Sequence, residues 1–461
     1  MNSSESDLPS NHDLYWRFFR LAIVNIVSNI MIPLAGLVDV AFLGHLPDIR
    51  HFAGVALGGI LFNYLYSTFG FLRMSTTGVA AQAVGRSDSE SLVLILLRNS
   101  LLALVSGIVI LLLQKPLCEL GFALLTANSD VESAGRAYYD ARILAAPAAL
   151  LNFVLLGWFL GREESGKVLL LSALNNGANV VLDYLFIIHW GWASAGAGLA
   201  TAASQYLTLL LGIVFVCLTG LLNLVPSIAA RILDKEALLA TFNLNKDLLI
   251  RNLTFITVFS LLTEVSSIFG TLELSVNVLI LRVVTLAGYC IDGFTFATES
   301  LTGIFFGEKA YEKLNSLLRL ALGTALVASL LFALCFIVFP DTLFGVLTNH
   351  TEVTDLVHKY VLWLLPVLGF CAIALVFDGY FLGLTKGDIL RNSALLSATV
   401  GFFPMAFMAW KLHDSQFLWL GVVSFMAARA IIAGLQIPEL QEEFVASRGK
   451  PADEQLVIGE R

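Results

Sequence analysis

The chain is 461 residues long, and 57% of these residues are hydrophobic but only 13% are charged. A soluble protein is typically about a quarter charged. Apolar runs such as Leu101–Leu113 are too long to be hidden in a soluble core of this size. Composition therefore excludes a soluble globular protein, and it predicts an all-α polytopic membrane protein. The net charge of −8, without a basic patch, gives no indication of a nucleic-acid partner.

The N-terminal segment, residues 1–13, is polar and acidic. It lacks the basic region that begins a cleaved signal peptide, so we expect the first helix to remain in the mature protein. The five cysteines occur singly in apolar stretches and form no CxxC pair. Their spacing indicates neither a disulfide framework nor a metal site.

Apolar runs of about 20 residues, the length of one membrane crossing, predict twelve transmembrane helices. They lie near 17–43, 52–80, 92–114, 136–160, 166–188, 194–221, 248–270, 274–306, 316–339, 353–383, 387–411 and 415–438. Two short apolar segments, Pro116–Thr126 and Pro340–Thr348, follow the third and ninth helices and are too short to span. We interpret them as interfacial connectors.

The sequence repeats itself at an offset of 222 residues, which places GWFLG at Gly157–Gly161 opposite GYFLG at Gly379–Gly383, and Gly85 opposite Gly307. One offset that holds across several segments indicates a duplication. We predict two six-helix lobes, 1–222 and 248–440, joined by a cytoplasmic linker at 223–247 and followed by a polar tail at 441–461. Because six is an even number, both copies have the same orientation, and a pseudo-two-fold axis along the membrane normal relates them.

Most of the 27 Lys and Arg residues fall in loops on the side of the two termini. By the positive-inside rule, both termini are predicted to be cytoplasmic, which agrees with an even number of helices. We expect a multi-pass protein of the bacterial inner membrane, and nothing in the sequence requires more than a monomer.

Asp39 is a carboxylate in the middle of the first predicted helix, six residues after Pro33. A carboxylate at bilayer depth is energetically unfavourable and is usually functional. Proline removes a backbone hydrogen bond and favours a kink. This combination predicts an ionisable switch on a hinged helix, which is a requirement of a transporter rather than of an enzyme.

The fifth predicted helix carries Asn175, Asn179 and Asp183, which are four residues apart and therefore share one face. Thr201 on the sixth helix can supply a hydroxyl to the same group. Such oxygen atoms suit Na⁺, and they also suit carboxylates that share a proton. The alternative interpretation is that these polar residues only hold neighbouring helices together.

The second lobe carries a different polar set on its eighth helix, where Asp292 and Glu299 are seven residues apart. Arg282 lies ten residues before Asp292. Two interpretations are therefore open for these acids, an internal ion pair with Arg282 or a role in the substrate cavity. The 222-residue offset takes the first-lobe candidates Asp39, Asn179, Asp183 and Thr201 to Leu261, Gly401, Met405 and Val423. The scaffold was therefore duplicated without its charges, which favours one lobe for the coupling ion and the other for the substrate.

Three stretches resemble the multidrug and toxic compound extrusion (MATE) transporters. They are PLAGLVDVAFLGHL in the first helix, NVVLDYLFI in the fifth, and GYCIDGFTFATESLTGIFFGEKA in the eighth, which is similar to the DinF branch. The resemblance covers about 17–438. It implies an antiporter that expels organic, often cationic, compounds in exchange for H⁺ or Na⁺, with no other cofactor.

In such a protein, the resemblance assigns the coupling group to Asp39, Asn179, Asp183 and Thr201 and the hinge to Pro33. Two other functions stay open. A flippase for a lipid-linked precursor would favour a cationic cavity, for which Arg73, Arg282 and Arg429 are the bases within predicted helices. A polytopic membrane enzyme would need a convergent His, Ser or Cys constellation, and the sequence presents none, so catalytic residues are not predicted. The choice between H⁺ and Na⁺ also stays open.

Overall fold

The computed structural model describes residues 11–125, 128–348 and 350–447. Within these ranges the chain is helical without strands, and twelve helices are long and apolar enough to cross a membrane. They are α1 Asp13–Gly44, α2 Ile49–Gly85, α3 Ser89–Leu112, α4 Ser129–Gly161, α5 Ser165–His189, α6 Ala193–Leu218, α7 Lys235–Ile268, α8 Thr271–Gly307, α9 Tyr311–Val338, α10 Thr351–Gly383, α11 Gly387–Leu412 and α12 Ser415–Leu440. The predicted all-α architecture with twelve spanning helices is confirmed.

The short helices Gln114–Leu124 and Pro340–Leu347 occupy the two segments that were predicted to be too short to span. The predicted linker, 223–247, is itself largely helical. It contains Val225–Ile232, and α7 begins at Lys235 rather than near 248. The charged residues at the start of α7 lower its hydropathy, so an apolar run marks only the later part of that helix. Most of the predicted tail, 448–461, lies outside the described residues.

Several spanning helices contain local breaks that hydropathy does not show. At Gly70, α2 is interrupted, which divides it into Ile49–Phe69 and Phe71–Gly85. A 3₁₀ turn at Ile143–Ala145 interrupts α4. In α5 the α-helix ends at Asp183 and a π-helical segment, Tyr184–His189, follows. Such π segments are rare and occur frequently at functional sites.

The chain folds into two compact units. Unit 1 comprises 1–256, 288–308 and 379–387, and unit 2 comprises 257–287, 309–378 and 388–461. Unit 1 therefore contains the first six helices, the first part of α7, the second half of α8 and the end of α10. The division into lobes at 1–222 and 248–440 stays a prediction from the repeat.

Glycines of the repeated GWFLG and GYFLG sequences allow helices to touch backbone to backbone inside unit 1. A Cβ added at Gly157 would lie 2.4 Å from the carbonyl oxygen of Arg73, and one added at Gly379 would lie 2.4 Å from that of Thr295. One turn later, Gly161 and Gly383 make the equivalent approaches to Thr77 and Glu299. Each of these pairs is reproduced by the 222-residue offset, so the duplication preserved helix crossings as well as sequence.

Three aromatic rings cluster where α5 ends and α6 begins. The ring centroid of Phe186 is 5.0 Å from that of Trp190 and 5.2 Å from that of Trp192, and the two indoles are 4.8 Å apart. Both tryptophans are about half exposed, at 50% and 46%. Tryptophan is enriched at the level of the lipid headgroups, so this cluster is suited to the membrane interface.

Candidate functional site

The polar face of α5 is buried inside unit 1. Asp183 has no exposed surface and Asn179 is 6% exposed, while Asn175, two turns before Asp183, is half-buried. The spacing of four residues places all three on one side of the α-helix. An apolar helix of this kind buries its polar face against another helix, since lipid offers no hydrogen bonds.

The helix that meets this face is α6. The amide nitrogen of Asn179 lies 3.4 Å from the hydroxyl oxygen of Thr201, and that hydroxyl donates to the carbonyl of Ala197 at 3.0 Å. A second contact, 3.4 Å long, joins Thr208 to Asn175. In the described part of the chain the carbonyl oxygen of Asn179 makes no hydrogen bond. The structure thus brings Asn179 and Thr201 together, as the sequence indicated.

The first helix packs on the same α5. The ring of Phe42 on α1 lies 6.3 Å from that of Tyr184, the residue that follows Asp183. Position 39 is one turn before Phe42 in α1, but the side chain of Asp39 lies outside the described residues. Pro33 is half-buried, and α1 continues through it without a break. The coupling and hinge roles of these two residues stay predictions.

Unit 1 also holds a charged cluster around Glu299, with partners other than the Arg282 that the sequence suggested. Glu299 on α8 is 1% exposed, and it interacts electrostatically with Arg73 of α2 and Arg251 of α7. Its Oε1 atom has no hydrogen-bond partner in the described part of the chain. Arg251 is 6% exposed, and its guanidinium donates to Asn252 Oδ1 at 2.9 Å. Arg251 was missed because the predicted α7 began at 248, which left this arginine next to a loop.

Arg73 is the partly exposed member of this charged cluster. Its Cζ atom lies 3.7 Å from the ring centroid of Phe296, and it interacts electrostatically with Glu299 and with the half-buried Asp292. Stacking uses the flat face of a guanidinium and leaves its N–H groups at the edge. None of those N–H groups donates a hydrogen bond to any residue that the structure describes.

Arg282, which the sequence placed near Asp292 and Glu299, is exposed on the part of α8 that belongs to unit 2. The bases that interact with Glu299 are instead Arg73 and Arg251. Unit 2 contains a buried ion pair between Arg429 and Asp378, with 2.6 Å between Nη2 and Oδ2. These two residues are 51 positions apart, so no local pattern signals their contact.

Among the described residues, no group of three or more His, Cys, Asp and Glu side chains is arranged to hold a metal ion. The side chains of Asn179, Asp183 and Thr201 carry oxygen atoms, the kind of ligand atom that hard cations prefer.

Comparisons with known proteins identify the family and the fold of the chain. The MatE family model matches the chain twice, at residues 25–185 and 248–408, in agreement with the 222-residue repeat. DNA damage-inducible protein F of Escherichia coli K12 is 33% identical over 92% of this chain and 91% of its own length. A protein of Bacillus anthracis called probable multidrug resistance protein NorM is 19% identical over 89% of this chain and 92% of its own length.

Solved structures share the fold. The outward-facing structure of a multidrug resistance MATE family transporter of the MOP superfamily superposes with a TM-score of 0.81 at 19% identity, and the match covers 93% of this chain and 96% of that one. A MOP superfamily transporter from Pyrococcus furiosus gives the same TM-score and coverage. The two-lobe repeat predicted from the sequence is the fold of these proteins, and the resemblance to the DinF branch is confirmed by its Escherichia coli member. With both halves matched by one family model and a relative aligned along nearly its full length, the chain belongs to the MatE family of multi-pass membrane transport proteins.

Proposed function

We propose that this protein is a secondary antiporter that exports organic, amphipathic and often cationic compounds in exchange for H⁺ or Na⁺. The observation that carries the proposal is the contact between Asn179 and Thr201, next to the fully buried Asp183, on the face of unit 1 where α5 meets α6. An intramembrane carboxylate with amide and hydroxyl oxygens nearby is a site for reversible ion binding. The name of the Bacillus anthracis relative supports multidrug export.

In this proposal Asp39 is the coupling carboxylate. Ion binding or protonation removes its negative charge, and α1 responds by bending at Pro33, where one backbone hydrogen bond is missing. Because α1 packs on α5, a bend in α1 displaces the part of α5 that contains Asp183 and the neighbouring π segment. A bent α1 then reshapes the substrate cavity and alternates its access between the two sides of the membrane.

The proposed setting is the bacterial inner membrane, with both termini in the cytoplasm and the protein acting as a monomer. The excess of Lys and Arg on the side of the termini supports this orientation. The relative DNA damage-inducible protein F is from Escherichia coli, which supports a bacterial setting.

The experiment that tests the coupling role uses the Asp39→Asn variant in proteoliposomes. Asparagine keeps the size of the side chain but cannot take up a negative charge, so we expect dye export to fall at least about tenfold. Export of a fluorescent cationic dye is measured under a pH gradient and, separately, under a Na⁺ gradient. Export that one gradient drives and the other does not would identify the ion.

The matched control is Asp355→Asn, which changes an exposed aspartate of α10 and is expected to leave export at the wild-type rate. Both variants are compared with the wild type by size-exclusion chromatography, so that a loss of export is separated from a loss of folding. Wild-type export by Asp39→Asn would refute the assignment of the coupling group.

A flippase for lipid-linked precursors is the second candidate, and one observation favours it. Two arginines of unit 1, Arg73 and Arg251, interact electrostatically with Glu299, and of these the sequence analysis had named only Arg73 as a base within a helix. Glu299 and Asp292 offset their charge, so unit 1 does not present the strongly cationic cavity that a pyrophosphate group requires. Binding of a lipid pyrophosphate that is lost on changing Arg251 would reverse this preference.

A further inference from the structure

We infer that the crossing of α2 and α8 at Gly85 and Gly307 is the gate that closes the transport pathway on the side of the N-terminus. Opening this gate requires the two glycines to separate. The inference rests on the proposed export function and specifies the element that controls access to its cavity. It depends on a reciprocal contact between the two glycines and on the contacts beside it, all of which lie within unit 1.

The contact between Gly85 and Gly307 is reciprocal. A Cβ added at Gly85 would lie 2.9 Å from the Cα of Gly307, and one added at Gly307 would lie 3.0 Å from the Cα of Gly85. The two residues are 222 positions apart, so each glycine contacts its own counterpart in the other copy of the repeat. In a structure with two-fold pseudosymmetry, a residue touches its counterpart only at the symmetry axis. The crossing therefore lies on the axis between the two copies.

Two further contacts flank the crossing, and the repeat relates them to each other. The hydroxyl of Ser300 on α8 donates a hydrogen bond of 2.7 Å to the carbonyl oxygen of Leu160 on α4. At the counterpart positions, Gly78 of α2 lies so close to Leu382 of α10 that an added Cβ would collide with its carbonyl oxygen. The two copies thus touch each other at the axis and on either side of it.

A glutamine side chain also joins the copies at this level. Gln82, three residues before Gly85, is 8% exposed, and its amide nitrogen donates to the carbonyl oxygen of Gly383 at 2.9 Å. Hydrogen bonds and close helix contacts of this kind each favour the closed arrangement by a modest amount. They can therefore be broken and remade in each transport cycle.

The crossing lies at one end of the bundle, since Gly85 and Gly307 are the last residues of α2 and α8. Spanning helices alternate in direction, so the even-numbered helices end on the side where α1 begins. In transporters built from repeats, the substrate site lies near the bilayer midplane between the copies. A contact on the axis at this end therefore separates such a site from the N-terminal side, which is cytoplasmic in the proposed orientation.

The closed gate requires glycine at both positions. Alanine at position 85 or 307 would place a Cβ against the backbone of the facing helix, which cannot turn aside as a flexible side chain can. The clash disappears when the helices separate. Alanine therefore disfavours the closed gate relative to the open one and shifts the equilibrium between them.

The test measures the distance between the two copies at the gate. Spin labels are attached to Ser87→Cys and Lys309→Cys, exposed positions two residues after each gate glycine, in protein whose five native cysteines are replaced by alanine. Double electron–electron resonance gives the distribution of distances between the labels. We expect the ratio of long to short distances to rise at least about tenfold in Gly85→Ala and in Gly307→Ala, because the closed state becomes overpacked.

A milder variant and a matched control accompany these two. Ser300→Ala removes one hydrogen bond of the closed gate without adding a clash, so we expect the same ratio to rise about threefold. The control is Gly59→Ala, also in α2, where a Cβ would have no heavy atom within 4 Å. Its distance distribution should be that of the wild type.

Unchanged distances in the three gate variants would overturn the inference. An equal shift in Gly59→Ala would overturn it as well, since any alanine in α2 would then loosen the bundle. If alanine at position 85 or 307 prevents folding, Ser300→Ala and cross-linking of the wild-type gate decide the question.

Cross-linking also separates the gate from the proposed antiport. A short bifunctional methanethiosulfonate joins Ser87→Cys to Lys309→Cys and holds the gate closed, and a reducing agent releases it. We expect dye export from proteoliposomes to stop when the cysteines are joined and to recover on release. Undiminished export across a complete cross-link would exclude the gate and leave antiport standing. If the gate variants shift the distances but neither ion gradient drives export, antiport fails and the gate stands.

Discussion

Asp88 caps the N-terminus of α3, where the backbone N–H groups of the first turn have no partner within the helix. Its Oδ1 atom accepts a hydrogen bond of 2.9 Å from the backbone N–H of Ser91, and Oδ2 accepts one from the hydroxyl of the same residue. Burial acts to raise the pKa of Asp88, but the hydrogen bonds from Ser91 outweigh it and leave the pKa below its usual value. The ionised cap is therefore a stabilising element.

We predict that Asp88→Ala lowers the stability of the folded protein by about 1 kcal/mol at neutral pH. Because the pKa of Asp88 is lower in the folded than in the unfolded state, the cap stabilises above the unfolded value and is lost as the pH falls through the folded one. The difference in Tm between wild type and variant should thus shrink as the pH falls from about 5 to about 3.

The matched control for the cap is Asn128→Ala. Asn128 holds the corresponding position before α4, but its side chain makes no capping hydrogen bond. We expect its Tm to stay within error of the wild type across the same pH range. A constant difference in Tm for Asp88→Ala at every pH would show that ionisation of Asp88 does not contribute.

At the scale of residues, the sequence identified polar groups better than their partners. Asn179 and Asp183 stand out because an otherwise apolar helix repeats polar residues every four positions, and the structure buries both. Thr201 was predicted as a hydroxyl on the next helix along the chain. The contact of Arg251 with Glu299 and the ion pair of Asp378 with Arg429 were not predicted, because they join helices that are distant in sequence.

At the scale of elements, the helix crossings of unit 1 depend on glycine. The Cβ of an alanine at position 157 would lie 2.4 Å from a backbone oxygen of α2, closer than atoms in contact can approach. We predict that Gly157→Ala lowers the free energy of unfolding by about 1–3 kcal/mol, because α2 and α4 must move apart. Thermal unfolding in detergent, followed by circular dichroism, measures the change.

The matched control for this crossing is Gly323→Ala in α9, since a Cβ at Gly323 would have no heavy atom within 4 Å. Alanine has the higher helix propensity, so this variant should be as stable as the wild type or more stable by up to about 1 kcal/mol. Equal stability of Gly157→Ala and Gly323→Ala would contradict the proposed role of the crossing.

Helix positions were predictable because the bilayer selects for apolar runs of a fixed length. The ends of α1 to α6 and α8 to α12 lie within several residues of the predicted ends. The predicted start of α7 was wrong because a charged helical extension, which begins at Lys235, precedes the apolar segment. The break at Gly70 and the π segment after Asp183 were not predicted, since they depend on backbone geometry that hydropathy does not record.

At the scale of the whole molecule, the duplication has produced two copies that share helix crossings but differ in charge. Leu261, Gly401, Met405 and Val423 occupy the repeat positions of the ion-coupling candidates Asp39, Asn179, Asp183 and Thr201. None of the four side chains in the second copy provides an oxygen atom. The second copy therefore lacks an equivalent of the proposed coupling group.

We predict that a carboxylate moved to the second copy does not restore coupling. The double variant Asp39→Asn with Leu261→Asp should export dye as poorly as Asp39→Asn alone, because Gly401, Met405 and Val423, at the repeat positions of the other coupling residues, provide no side-chain oxygen. The single variant Leu261→Asp tests whether that site tolerates a carboxylate at all. Export restored in the double variant would show that the two copies are functionally equivalent.

The aromatic cluster of Phe186, Trp190 and Trp192 provides an intrinsic fluorescent probe at the end of α5. The two indoles are among seven tryptophans in the chain, and they follow the π segment that begins directly after Asp183. Indole emission responds to a ring in van der Waals contact and to nearby water. A rearrangement of the end of α5 during ion binding would therefore change the intrinsic fluorescence. The timing of that rearrangement can be followed by stopped flow in unlabelled protein, with Trp190→Phe and Trp192→Phe to assign the signal.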